Sequence, residues 1–366
     1  MTNPNADDVL SALLKYKNVM LSGAPGTGKS LLLNAVASRF LADGKDETLA
    51  PPQHVPGNAI PIPRIHEPSH RVFRTTFHQN THYRDMLTGL APDVREGAER
   101  DFRVVEGILY RAGEHARRDG GSALLIIDEI NRGPAVQAFG GAIVGIEADK
   151  RLGADGERTE KTQPFEILDP KTGDYVEYAL PDKLYILAAM NQADASVDPM
   201  DVAFLRRWHG LHVHPDTSVL KDFFGLGDVP DATTLPAEPA QPADVIFALI
   251  LAFQAVNKRI CLGRSANYQI GHGVLMDSSS PEFADVPAAL SFVSSRWNRV
   301  MDHISEVFFG DDTGIATVLN ASHDESPIKL EDRFFGSQSV VHLEMPDLAG
   351  PNVYKVLRSA ALDNAG

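Results

Sequence analysis

A chain of 366 residues, 43% hydrophobic and 23% charged, has the composition of a globular protein of two or three domains. Its formal net charge of -15 argues against general attraction to a nucleic-acid backbone, and its single cysteine, Cys261, excludes an internal disulfide and is expected as a small buried apolar residue. The polar, acidic start "MTNPNADDVL" is unlike a signal peptide, and no run approaches the roughly 18 apolar residues of a membrane span, so a cytoplasmic protein with no membrane contact is expected.

In chain order, "ADDVLSALLKY" (6 to 16) has helical spacing, with Asp7 or Asp8 placed to cap it. "NVMLSG" (18 to 23) reads as a short buried strand, and "KSLLLNAVASRFLA" from Lys29 as a helix without a breaker. Residues 51 to 68 hold too many prolines for a regular element and read as a surface insertion. "RVFRTTFHQ" (71 to 79) is a strand pattern, and "FRVVEGILYRAGEHARR" (102 to 118) a helical one. "SALLIIDEI" (122 to 130) has the continuous apolar run of a strand buried on both faces, and residues 135 to 150 a helix weakened by glycines. Residues 153 to 180 suggest a hairpin about "DPKTGD", and "KLYILAAMN" (183 to 191) is another central strand. Alternation of strand and helix implies an α/β, three-layer fold with a parallel sheet, spanning residues 1 to 224. A linker at 225 to 244, a small helical lid domain at 245 to 320 without strong strands, and an extension at 321 to 366 follow.

The stretch "LSGAPGTGKS" (21 to 30) fits G-x-x-x-x-G-K-[ST] in full, so Gly23, Ala24, Pro25, Gly26, Thr27, Gly28, Lys29, Ser30 and Leu31 are expected around a nucleotide. Its glycines let successive N–H groups turn around phosphate oxygens, the following helix aims its positive end at them, and Lys29 neutralises the outer phosphates. Ser30 is expected on Mg²⁺. Asp128 can reach the same Mg²⁺ through water, and Glu129 can take a proton from the attacking water. Asn191 is expected between these carboxylates and the last phosphate, orienting the water or sensing the γ-phosphate.

Together these elements resemble the AAA+ class of ring-forming ATPases, and more closely the motor subunit of the McrB family of restriction systems. The resemblance is carried by "FHQNTHYRDMLTGLAP" (77 to 92), "IIDEINRGPAVQAFGGAIVGIEADKR" (126 to 151), "MNQADASVDPMDVAFLRRW" (190 to 208) and "YQIGHGVLM" (268 to 276). It implies that Lys29 and Ser30 are the phosphate and Mg²⁺ ligands, Asp128 and Glu129 the Walker B pair, and Asn191 the first sensor. Asp194 falls on the family's M-N-x-A-D signature. It also implies that Arg206 and Arg207 reach the neighbouring subunit's nucleotide, where an arginine is worth several orders of magnitude in rate. The assembly implied is a homo-oligomer, a hexamer, hydrolysing ATP or GTP with a separate effector such as a McrC-like nuclease in defence against foreign DNA, and meeting nucleic acid through the ring.

Departures from the family pattern are Gln192 and Ala195 in M-N-T-A-D-R-S, Trp208 in place of a third arginine, and "IGHGVLM" for I-G-H-S-Y-F, which leaves His272 as the retained contact of the helical domain. The phosphate loop lies near the start, so recognition of DNA is expected from a partner or the ring rather than from a preceding reader domain. His209, His212 and His214 look like one face of a strand rather than a metal site. Two rival readings keep the fold: a MoxR-like protein-remodelling chaperone, and a nucleotide-gated scaffold.

Overall fold

The computed structural model describes residues 3–43, 69–93, 102–191 and 200–362. It comprises two compact units: Met1–Ser22 with Lys29–His212, and Gly23–Gly28 with Val213–Gly366.

The first unit begins with α1 (Ala6–Tyr16), capped by Asn5 rather than by the expected aspartates. The Asn5 side chain accepts from the N–H groups of Asp7 and Asp8, and Asp8 returns a bond to the Asn5 N–H, closing a reciprocal capping box. β1 (Asn18–Gly23), α2 (Lys29–Asp43) and β2 (His70–Thr76) follow as read from the sequence. Then come α3 (Tyr83–Met86), β3 (Thr88–Pro92), β4 (Phe102–Glu106), α4 (Ile108–Ala116) and β5 (Ser122–Asp128). The helix expected from residue 102 thus begins only at Ile108. The stretch before it carries a phenylalanine and two valines, residues suited to strands, and it pairs antiparallel with β3 in the register Gly89↔Val105. Gly107 ends that strand where no side chain fits, because a Cβ there would stand 2.3 Å from the Met86 carbonyl carbon.

The helix expected at 135 to 150 is broken into α5 (Ala135–Phe139), α6 (Ala142–Gly145) and a 3-10 turn at Ala148–Lys150. The first break falls at Gly140, whose φ of 48° leaves the helical region. The expected hairpin is formed by β6 (Phe165–Leu168) and β7 (Tyr175–Tyr178), with Asp169 accepting from the turn N–H groups of Lys171 and Thr172. β8 (Leu184–Asn191), α7 (Val202–Leu205) and β9 (His209–His212) complete the unit.

A five-stranded parallel sheet runs in the order β2-β5-β8-β1-β9. β5 and β8 lie side by side at its centre and are buried along their whole length except at their last residues, Asp128 and Asn191. Apolar side chains fill both faces, and the polar groups emerge at the carboxyl ends, where open α/β sheets bind ligands.

The second unit carries α8 (Thr217–Phe223), α9 (Pro242–Gly263), α10 (Val286–Val307), α11 (Asp312–Val318), β10 (Lys329–Phe335), β11 (Gln338–Glu344) and α12 (Pro351–Ala361). Its core joins Phe253 of α9, Trp297 of α10 and Tyr354 and Leu357 of α12. The segment expected as a linker contributes Leu235 to that core, and Pro236 O accepts from the Tyr354 hydroxyl. α12, placed by sequence in a separate extension, packs in the same core, and β10 and β11 form an antiparallel hairpin in the tail, whose sequence signals are mixed. α9 is long and apolar enough to cross a membrane, contrary to the expectation from sequence, yet eleven of its residues are buried and nine of these, among them Leu249, Phe253 and Val256, lie in this unit's own core. Cys261, expected to be buried, is exposed on the last turn of α9, where Leu262 and Gly263 are exposed with it.

Candidate nucleotide site

The loop from Gly23 to Gly28 departs from ordinary backbone at its glycines, with φ of 153° at Gly23, 77° at Gly26 and 90° at Gly28. At Gly23 a side chain is excluded outright, since its Cβ would stand 2.3 Å from Val213 O. The Thr27 hydroxyl donates to Ala24 O at 2.9 Å and braces the turn from inside. Pro25 and Gly26 at its crest are exposed. α2 starts immediately afterwards at Lys29, with no acidic residue in its first turn, so its unsatisfied N–H groups and positive dipole end are not offset by a carboxylate of that turn. Ser30 and Leu31, one exposed hydroxyl and one 75% exposed apolar side chain, stand on that first turn.

Lys29 is only 8% exposed. Burial pulls its ammonium down to about 8, while the charges of Glu129 and Asp128 act in the opposite direction and favour the cation. The carboxylates are thus close enough to Lys29 to be felt by it, all within the first unit.

Glu129 follows the end of β5 with φ 51° and ψ 43°, a left-handed conformation that costs a non-glycine residue on the order of 1–3 kcal/mol. Several bonds hold the residue there. Its N–H donates to Asp128 Oδ1 at 3.0 Å, its Oε1 accepts from Asn191 Nδ2 at 2.7 Å, and its Oε2 pairs with Arg132 Nε at 3.3 Å. Asn131 Nδ2 in turn donates to Asn191 O at 2.8 Å. Adjacent strands therefore deliver Asp128, Glu129 and Asn191 to one place. Asn191 was expected to lie between the carboxylates and the last phosphate; its amide is bonded to Glu129 itself.

Asn131 and Arg132 had no role from sequence, although the i, i+3 spacing of Arg132 from Glu129 was a signal for this pair. Asp194, with Gln192 and Ala195, lies outside the described residues.

The two arginines after α7 part ways. Arg206 is exposed. Arg207 is turned into its own unit: its Nε stands 3.0 Å from Glu147 Oε1, its Nη1 donates to Ala203 O, and its carbonyl accepts from Asn18 Nδ2 at 3.2 Å. Beneath it, the fully buried Arg151 donates to Asn18 Oδ1, Leu184 O and, at 2.9 Å, Ile146 O.

His209 and His212 do not share one face of β9. His209 stacks on Tyr16 with ring centroids 4.0 Å apart, whereas His212, of opposite parity in β9, has Nδ1 3.2 Å from Ser22 Oγ. Among the described residues no group of three His, Cys, Asp or Glu is placed to hold a metal ion. The hydroxyl of Ser30 and the carboxylate of Asp128 are hard oxygen donors of the kind Mg²⁺ takes when phosphates and water supply its other ligands.

A glycine loop opening a helix, a carboxylate pair ending a buried strand and an asparagine on the strand beside it are elements expected of a P-loop nucleotide-binding protein. Residues 65–208, which include Asp128, Glu129, Asn191 and both arginines but begin after the glycine loop, match the AAA domain of the dynein-related subfamily. The chain is 27% identical over 284 residues to the type IV methyl-directed restriction enzyme EcoKMcrB subunit of Escherichia coli K12, covering 75% of this chain and 52% of that protein. It is 28% identical over 205 residues to the type II restriction enzyme BsuMI component YdiS of Bacillus subtilis 168, covering 52% and 55%. The chain therefore spans about half the length of the curated relatives it matches. Two solved structures align at low similarity, an ATPase of Cytophaga hutchinsonii (TM-score 0.33, 14% identity, 81% of this chain and 74% of that one) and PCH-2 of C. elegans (TM-score 0.32, 13% identity, 78% and 62%). Residues 65–208 thus match an AAA domain, and the chain is similar to two subunits of restriction enzymes.

Proposed function

We propose that this protein is a nucleoside-triphosphate hydrolase that works as a ring-forming motor of a restriction system. The observation that carries the hydrolytic reading is the bond from Asn191 Nδ2 to Glu129 Oε1, which, with Arg132, aims a strained carboxylate from the end of the strand that also carries Asp128. In this reading the loop amides and Lys29 grip the phosphates. Ser30 and Asp128 hold Mg²⁺, which offsets phosphate charge when bound. Glu129 takes the proton from the attacking water, and Asn191 keeps its carboxylate directed. ATP is the substrate adopted, as the default of the class, with GTP as the competitor to be assayed beside it.

Arg206 completes the neighbouring subunit's site, a role its exposure supports, whereas the ion pair of Arg207 with Glu147 makes it a strut of its own subunit. The ring is a hexamer in the cytoplasm. Because both curated relatives are named as a subunit or component of a restriction enzyme, the partner proposed is a separate nuclease subunit, with nucleic acid met by the assembly. Neither relative favours the remodelling chaperone. Glu129→Gln tests the reading: nucleotide should still bind with turnover reduced by 10² or more, and a variant as active as the parent would refute it.

A further inference from the structure

Within the first unit, the connection between α7 and β9, residues 206–208, is held on both sides. Arg207 is gripped at main chain and side chain: its carbonyl accepts from Asn18 Nδ2 at 3.2 Å, and its Nε stands 3.0 Å from Glu147 Oε1. Both grips return to one short segment. The same Asn18 amide donates to Ile146 O at 2.7 Å, while the fully buried Arg151 donates to Ile146 O at 2.9 Å and to Asn18 Oδ1. The turn at 146–151 is therefore a fixed anchor, and the Glu147 carboxylate is its reach to Arg207. On the other side, the Phe204 and Trp208 rings, which flank Arg206 in sequence, are buried against Phe139 with centroids 5.4 and 6.3 Å away. The Arg206 N–H is bonded to Val202 O at 3.0 Å. With its neighbours clamped and its own backbone bonded, Arg206 keeps its freedom in the exposed side chain.

We infer that Glu147 is a positioning residue: by fixing Arg207 from the 146–151 turn it holds the base of the Arg206 side chain, so that losing it silences hydrolysis in the neighbouring subunit and spares its own subunit's site. The inference rests on the proposed reading of Arg206. A guanidinium at the end of a long side chain stabilises a transition state only where its backbone is held still, since a displacement of about 1 Å can cost about a hundredfold in rate. A carboxylate that fixes the adjoining residue therefore acts on turnover and leaves ground-state binding alone. Stability alone is a poor reason for this ion pair, in which the Arg207 side chain is 9% exposed and the Glu147 side chain 32%. So shielded a pair gains little over apolar residues of the same volume, and what it secures is geometry.

The test uses the full chain with Mg²⁺ and ATP, reading phosphate release and nucleotide binding for Glu147→Ala and Glu147→Gln, alone and in mixtures. Glu147→Ala should lower kcat about tenfold or more with KM and affinity within about threefold, while Glu147→Gln, whose amide oxygen still accepts from Arg207 Nε, should stay within about threefold of the parent. Mixed with Glu129→Gln subunits, which carry an intact Arg206, Glu147→Ala subunits should recover several-fold, as Arg206→Ala subunits do. Mixed with Arg206→Ala subunits they should recover nothing, because neither partner supplies a well-placed arginine. A pair that only braces its own fold would fail in both mixtures; that result overturns the inference, as does full activity of Glu147→Ala alone. If Glu147→Ala unfolds too readily to assay, the double variant Glu147→Ala, Arg207→Met removes both charges and strands neither. It must then recover with Glu129→Gln and not with Arg206→Ala, and any other pattern overturns the inference. Arg206→Ala is the control for the underlying reading: full activity of that variant, or no recovery of it by Glu129→Gln, refutes the role of Arg206, whereas its recovery beside an indifferent Glu147→Ala refutes Glu147 alone.

Discussion

The backbone of Glu129 is held against its own preference, and the hydrogen bonds of its side chain account for why it stays. Asn191 donates to one carboxylate oxygen and Arg132 pairs with the other. Asn191→Ala should lower turnover by about tenfold to a hundredfold with nucleotide affinity within about threefold, measured as phosphate release and as binding, because it frees the base without touching the loop. An equal fall in affinity would instead mark Asn191 as a ligand of the nucleotide. His272 and His70 both have pKa values lowered mainly by burial, against Asp216 in the first case and Asp43 in the second, with His115 and Lys183 adding to the lowering of His70. The unfolded chain therefore binds more protons than the folded one as pH falls below about 6.5, and stability fully present above that value is lost on acidification. Thermal melts should move to lower temperature between pH 7.5 and 5.5, and a His272→Gln, His70→Gln double variant should show a shallower dependence.

At the scale of elements, the buried polar strut beneath Arg207 ties α6, β1, β8 and the turn after α7 through Arg151 and Asn18. Arg151→Met should strand those acceptors without water and cost about 3 kcal/mol or more in denaturant unfolding, well beyond the loss expected from a surface arginine. Trp297→Ala should cost about 3–5 kcal/mol by opening a cavity in the α9, α10 and α12 core. β5, β8 and α2 were readable because long apolar runs or unbroken helical stretches fix them locally. β4 was misread as helix because its partner β3 lies some residues away, and strand pairing is not a local property. The 135 to 150 stretch kept helical periodicity while Gly140 redirected the chain. α9 and α12 share a core only through tertiary contact, so the segments between and after them read as linker and tail. In the site, Gly23 to Ser30 and the Asp128–Glu129 pair were legible because their motifs are contiguous. The Arg132 and Asn191 bonds to Glu129 and the divergence of Arg206 from Arg207 depend on side-chain direction and long-range approach, which spacing does not encode.

For the whole molecule the account requires more than one copy. With the exposed Arg206 proposed to reach a neighbour's phosphates, hydrolysis would be a property of the assembly, so Arg206→Ala should lower turnover while leaving affinity unchanged. Mixing Arg206→Ala with Glu129→Gln subunits should restore part of the activity, since some interfaces then join an intact base to an intact arginine; no recovery would confine both residues to one subunit. Arg207→Ala, by contrast, should lower the unfolding midpoint of the isolated chain together with activity, because it leaves Glu147 without its partner. The most direct measurement is inorganic phosphate released from ATP and from GTP by the purified protein with Mg²⁺, alone and with a nuclease partner, beside the Glu129→Gln variant. The account predicts release from at least one purine triphosphate by the parent and almost none by the variant, with nucleotide bound by both. Release from neither nucleotide, or equal release by parent and variant, would contradict it.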